Sequence, residues 1–231
     1  MLRLEKVRVD NGGFFLNADL QVETGQKIAV IGPSGAGKTT MIEAIAGFLP
    51  VLHGKVLWNG KDMTGDSPGK RPVAMLFQEG NLFPHLSVAQ NVGLGLRPDM
   101  ALDKAQQGKV MWALARVGLD GMGARKPAAL SGGQQSRAAL ARVLVQARPL
   151  LLLDEPFAAL GPALKGEMLD LVAGVVDEVG ATLLMVSHDP GDARRIADQV
   201  VLVAGGQAYA PQATADLLDN PPEVLRDYLG S

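Results

Sequence analysis

Continuous apolar runs and helical runs take turns along most of this chain. The apolar runs are KIAVI at Lys27–Ile31, VAMLF at Val73–Phe77, LLLL at Leu150–Leu153, TLLMV at Thr182–Val186 and VVLVA at Val200–Ala204. Each is short and is bounded by Gly, Pro or polar residues. Runs of this kind suit strands buried on both faces. Between several of them, apolar positions recur at helical spacing over Thr39–Gly47, Ser131–Gln146, Ala163–Glu178 and Asp192–Ala197. Strand alternating with helix predicts an α/β fold with a mostly parallel core sheet. The start of the chain is patterned differently. Residues 2–9, 14–22 and 55–59 alternate polar and apolar between Gly turns, which predicts an N-terminal antiparallel β subdomain. From Leu86 to Arg148 no strand pattern occurs. Ala, Gln, Met and Arg at helical spacing there predict a helical insert. The tail from Gln212 is expected to be helical. One domain, 1–231, is expected. Its core is formed by 1–85 and 149–231, and the helical subdomain is 86–148.

Composition narrows the function classes. The chain has 231 residues, a net charge of −2 and no cysteine. Thiolate metal sites, disulfides and cysteine nucleophiles are therefore excluded. The charge balance gives no basic footprint for nucleic acid. The opening MLRLEKVRVD alternates like a strand rather than a leader. No apolar run approaches the ~20 residues that span a bilayer. A cytosolic protein is expected, touching a membrane only through a partner.

The first chemical motif is GPSGAGKTT, residues 32–40, lying between the KIAVI run and the TMIEAIAG helix. It fits G-x-x-x-x-G-K-[ST] in the strand–turn–helix context that pattern needs. Gly32, Gly35 and Gly37 allow backbone N–H groups to converge on one point. With Pro33, Ser34, Ala36 and Thr40 they form a loop whose donors and helix N-terminus suit phosphate. Lys38 is placed to reach β and γ phosphates, and Thr39 to offer its hydroxyl to Mg²⁺.

LLLLDE at 150–155 ends an oily strand in two carboxylates. Buried acids must be paired, metal-bound or protonated. They fall at the C-terminal end of a core strand, where open α/β sheets bind ligands. Asp154 then suits the Walker-B role of holding Mg²⁺, and Glu155 suits orienting or deprotonating an attacking water. Pro156 removes a ladder donor and ends the strand.

LSGGQQSRAALARVL at 130–144 places Ser131, Gly132, Gly133 and Gln134 at the start of an amphipathic helix. Ser131 can cap that helix, leaving a second anion site at its N-terminus. A P-loop, then LSGGQ closing a helical insert, then LLLLDE resembles the ATP-binding subunits of ABC transporters over nearly the whole chain. The resemblance implies a P-loop NTPase fold, an ATPase activity, and ATP and Mg²⁺ as ligands. It implies a head-to-tail homodimer in which LSGGQ of one copy closes on ATP held by the other. It also implies that Gln78, in LFQEGNLF, contacts Mg²⁺ or the water, and that His188, in MVSHDP, contacts the γ-phosphate. His53 and His85 are read as surface residues.

The run RPVAMLFQEGNLFPHLSVAQNVGLGLRP is similar to that of ATP-binding subunits of bacterial thiamine importers. The implied partners are a membrane permease and, through it, a periplasmic binding protein, with no nucleic acid. The implied location is the cytoplasmic face of the inner membrane. Another ABC transporter, importing a different small molecule or exporting lipoproteins, is the alternative. Leu82, Phe83, Leu86 and Val88 either line the groove that receives a permease helix or pack the insert. Three departures from the family pattern stand out. Asn11 occupies the place of the aromatic that stacks on adenine, with Phe14 or Phe15 as substitutes. Gln135 and Ser136 follow the signature. Ala158 and Gly161 replace the serine and aspartate of the loop after the acids, where the aspartate ordinarily meets the other subunit.

Overall fold

The computed structural model of the chain describes residues 1–77 and 82–229, the last three by their backbone. The N-terminal strands β1 (Leu2–Asn11) and β2 (Phe14–Val22) pair antiparallel, and β1 pairs antiparallel with β4 (Val51–Trp58). β5 (Lys61–Asp62) edges this layer. Alternate residues of β1 and β2 are buried, as a sheet with one covered face requires. The expected antiparallel subdomain is therefore present. Its third strand begins earlier than the alternating 55–59 stretch suggests.

The core strands β3 (Lys27–Ile31), β6 (Val73–Leu76), β7 (Leu150–Asp154), β8 (Thr182–Val186) and β9 (Gln199–Ala204) lie in the order β9-β3-β8-β7-β6. All four of those pairings are parallel. β7 and β8 are buried at every position, which explains their unbroken apolar sequences. A short β10 (Gln207–Ala208) pairs parallel with β2 and antiparallel with β9, so it joins the two layers into one sheet. Two residues of strand leave no readable period, and the sequence did not announce it. The tail opens with β11 (Gln212–Ala213) against β9 before turning helical in α7 (Thr214–Asp219) and α8 (Glu223–Leu229). The expectation of helix from Gln212 onward is corrected by those two residues.

Helix α1 (Lys38–Ala46) packs on the face that also meets the antiparallel layer. Between 86 and 148 the elements are α2 (Val88–Gly93), α3 (Lys104–Arg116) and α4 (Gly132–Leu144), with no strand among the described residues. Their buried residues join one apolar cluster with Leu151, Leu153 and Met168, so the insert packs directly on the sheet. Met168 lies on α5 (Pro162–Val179), and α6 (Pro190–Ile196) follows β8.

Arg71 is the largest side chain that is wholly enclosed, at 2% exposure. Its guanidinium donates to the carbonyls of Ala44 and Ile45 at 2.8 Å each, to Asp66 O at 2.9 Å and to Thr64 O at 2.8 Å. It thus satisfies carbonyls in the last turn of α1 and anchors the P-loop helix from behind. Arg71→Met leaves buried acceptors without a donor, which costs about 3 kcal/mol. Urea unfolding should show that loss with an unchanged m-value.

Candidate functional site

The strand β3 runs into residues 32–37, and α1 starts at Lys38 with Gly37 left-handed at φ 106°. No side chain caps α1, so its first N–H groups are free to face a ligand. Gly32 has φ +148°, and a Cβ there would stand 1.9 Å from Val203 O of the neighbouring strand. Only glycine fits. Lys38 is 7% exposed, and its ammonium donates to Gly32 O at 2.8 Å and Pro33 O at 2.9 Å. Burial pushes its pKa down, while the charges of Glu155 and Asp154 act the other way.

Asp154 closes β7 at 6% exposure and accepts from Thr39 Oγ1 at 3.2 Å. Burial raises its pKa and the neighbouring Glu155 adds to the rise, while the Thr39 hydrogen bond and Lys38 oppose it. Glu43, a turn beyond Thr39, is raised by burial and then by the Asp154 charge. Glu155 leaves the strand at φ 43°, a left-handed conformation costing about 1–3 kcal/mol for a residue with a side chain. Its N–H donates to Val186 O at 3.2 Å. Its carboxylate Oε2 lies 3.2 Å from Nδ1 of His188, which follows β8 with a half-exposed ring. The ends of β3, β7 and β8 thus converge on one sheet edge. The resulting cleft of ≈ 310 Å³ gathers Ser34, Gly35, Gly37, Lys38, Thr39 and Thr40 with Glu155, Asn11 and Phe14.

The two phenylalanines now separate. Phe14 lines the cleft, with its ring against Gly37. Phe15 points to the other face of β2, where the Arg8 guanidinium sits 4.5 Å above its ring. Asn11, in the expected aromatic position, donates to Thr40 Oγ1 at 3.3 Å.

Ser131 caps α4 as predicted, in a reciprocal capping box with Gln134. Gly132 faces open space, whereas Gly133 is buried against Leu164 at the start of α5. Gln135 turns back to the carbonyls of Pro127 and Leu130, and Ser136 to Gly132 O. Gln78 lies outside the described residues. Val88 is wholly buried and Leu82 packs on the insert's core, while Phe83 is 46% exposed. Exposed Phe48 and Phe77 meet edge to face at 5.4 Å beside a cleft of ≈ 250 Å³. Of the predicted apolar groove, Val88 is therefore a core residue and Leu82 and Leu86 are half-buried, and the exposed aromatic surface includes Phe48, which was not singled out. His53 and His85 are exposed, as expected. Gly161 precedes α5 in an extended conformation with open space around it, and no side chain caps that helix.

A charged cluster behind His188 went unrecognised. Lys165 Nζ lies 2.8 Å from Asp189 Oδ2 and 2.7 Å from Asp192 Oδ1. These residues come from two helices and share no sequence spacing. The one local signal is a lysine in the first turn of α5, where the helix dipole disfavours a cation.

A phosphate loop, two acids at the end of a core strand and a histidine beside them define a P-loop nucleotide-hydrolysing site. The family described as ABC transporter matches residues 15–158. The thiamine import ATP-binding protein ThiQ of Ruegeria sp. (strain TM1040) is 64% identical over 231 residues, covering 100% of both chains. That of Cereibacter sphaeroides is 56% identical over 100% of both, and that of Escherichia coli (strain K12) 54% identical over 86% of both. Among solved structures, the ADP conformation of an ATP-binding cassette of an ABC transporter superposes with a TM-score of 0.89 at 25% identity, covering 100% of this chain and 99% of that one. A dimeric cassette in a post-hydrolysis state with ADP and Pi superposes with a TM-score of 0.79 at 27% identity, covering 93% and 99%. The chain belongs to the ABC transporter family, as one of its ATP-binding ATPases.

The raised pKa of Asp154 sets a sign for stability. Native Asp154 holds its proton more tightly than the unfolded chain does, so stability falls as pH rises from the ordinary carboxylate range through the raised value. Without nucleotide or divalent cation, Asp154→Asn should raise Tm at neutral pH. The gain should vanish below the ordinary carboxylate pKa. Thermal scans across pH check both statements.

Proposed function

We propose that this chain is the ATP-hydrolysing, energy-coupling subunit of a thiamine importer. The observation that carries the reading is the full-length likeness to thiamine import ATP-binding proteins, 64% identical in one case. The pairing of Glu155 with His188 beside the phosphate loop supports the chemistry.

Residues 32–40 bind the phosphates of ATP through backbone N–H groups, and Lys38 moves from its carbonyl partners to the phosphate charge. Thr39 and Asp154 supply hard oxygen donors for Mg²⁺. Phosphate oxygens, water and, by family likeness, Gln78 complete the coordination. Bound there, Mg²⁺ neutralises charge on the phosphate oxygens. Glu155 orients and deprotonates the attacking water, and His188 holds Glu155 and meets the γ-phosphate. Gln78 joins this group by family likeness. Phe14 provides the apolar wall for the base, displaced from the usual position that Asn11 occupies.

Residues 1–231 act as one ABC ATPase domain, with 86–148 as its helical subdomain. Two copies close head to tail, and the N-terminal end of α4 at Ser131, Gly132, Gly133 and Gln134 of one copy completes the phosphate site of the other. A permease docks at the Phe48–Phe77 cleft and links the cassette to a periplasmic binding protein. Location follows from that docking, at the cytoplasmic face of the inner membrane. No helix among the described residues is long and apolar enough to cross a membrane.

In the assembled transporter, thiamine-loaded binding protein should stimulate ATP hydrolysis. Glu155→Gln should retain ATP in a closed dimer and lower turnover by about 100-fold or more. Hydrolysis indifferent to thiamine removes the cargo, and wild-type turnover in Glu155→Gln removes the assigned base. Gly161→Asp restores a carboxylate at the dimer face and should raise the Hill coefficient for ATP. An unchanged coefficient and rate would show that position 161 does not couple the two ATP sites.

A further inference from the structure

Lys165 stands in an unfavourable place for a cation. It lies in the first turn of α5, at the positive end of the helix dipole, with its side chain only 15% exposed. Two carboxylates compensate. Asp189 accepts from Nζ at 2.8 Å, and the nearly buried Asp192 lies 2.7 Å away. Burial opposes the charge on Lys165, but those two contacts outweigh it and hold its pKa up. The same two acids lock the turn that carries His188. Asp189 caps α6 through Gly191 N–H at 2.8 Å, and its own N–H donates to Ser187 Oγ at 3.0 Å. Ser187 Oγ in turn donates to Asp192. His188 is therefore flanked on both sides by residues of one hydrogen-bonded knot, and Lys165 ties that knot to α5. At the other end, Lys165 N–H donates to Gly161 O at 2.9 Å, in the loop that descends from Glu155.

We propose that Lys165 is a positioning residue that sets His188 over Glu155 by clamping the His188 turn to α5, so that displacement of the loop at 156–161 reaches the histidine. This rests on the ATPase reading above. A second tie between α5 and α6, the Arg195–Asp170 pair, is solvent-exposed and lies farther along both helices. It holds the helices together without touching the His188 turn.

The test uses the full chain. Lys165→Met keeps the aliphatic stem and removes the charge, and Lys165→Arg retains it. The chain holds three histidines, so ring C2–H resonances can be assigned individually. Lys165→Met should move the His188 resonance and leave His53 and His85 in place. The kcat for ATP hydrolysis should fall about tenfold or more while KM stays within about twofold, because a misplacement near 1 Å costs on the order of 100-fold. Lys165→Arg should restore most of both. An unmoved His188 resonance overturns the proposal without reference to catalysis. So does a loss in which kcat, KM and Tm change together and arginine gives no rescue, which marks a structural role alone. Glu155→Gln, run in parallel, reports on the ATPase reading separately: full activity there would sink that reading and leave the resonance test standing.

Discussion

The buried ammonium of Lys38, held between the carbonyls of Gly32 and Pro33 and facing two acids, organises the sheet edge around it. A charge at that depth is tolerable only where opposite charges and lone pairs converge. The loop supplies the lone pairs, and the backbone of β9 at Val203 leaves no room for a Cβ at Gly32. β7 supplies the carboxylates by ending there, two strands away across β8. The parallel order β3-β8-β7 brings all three strand ends to one edge, and Arg71 holds α1 from the opposite side.

That convergence has a cost visible in the geometry. Asp154 is harder to ionise than an ordinary carboxylate, and Glu155 sits in a left-handed backbone conformation. Both burdens fall on residues assigned to metal and water, in keeping with strain concentrated at functional sites.

Much of the site was legible because its chemistry demands local spacing. The glycines, Lys38 and Thr39 must follow a strand and open a helix, and Asp154 and Glu155 must end one. Such constraints survive in a linear pattern. Signals that failed were those carried by a few residues or by contacts between distant ones. β10 is two residues long, too short for a period, although it joins the two layers. Val88 and Phe83 look alike in sequence as apolar neighbours, yet one is enclosed and the other open. Phe14 and Phe15 were equivalent candidates until strand alternation sent one into the cleft and the other under Arg8.

By itself the sequence determined the α/β class, the phosphate loop, the acid pair and the capping serine of α4, because each depends on residues adjacent in the chain. Tertiary structure alone decided which phenylalanine faces the nucleotide cleft, that Arg71 braces α1, and that Lys165 grips the His188 turn. Those outcomes depend on which strand ends and helix faces meet. Long-range packing sets those meetings, and no local period or spacing records them.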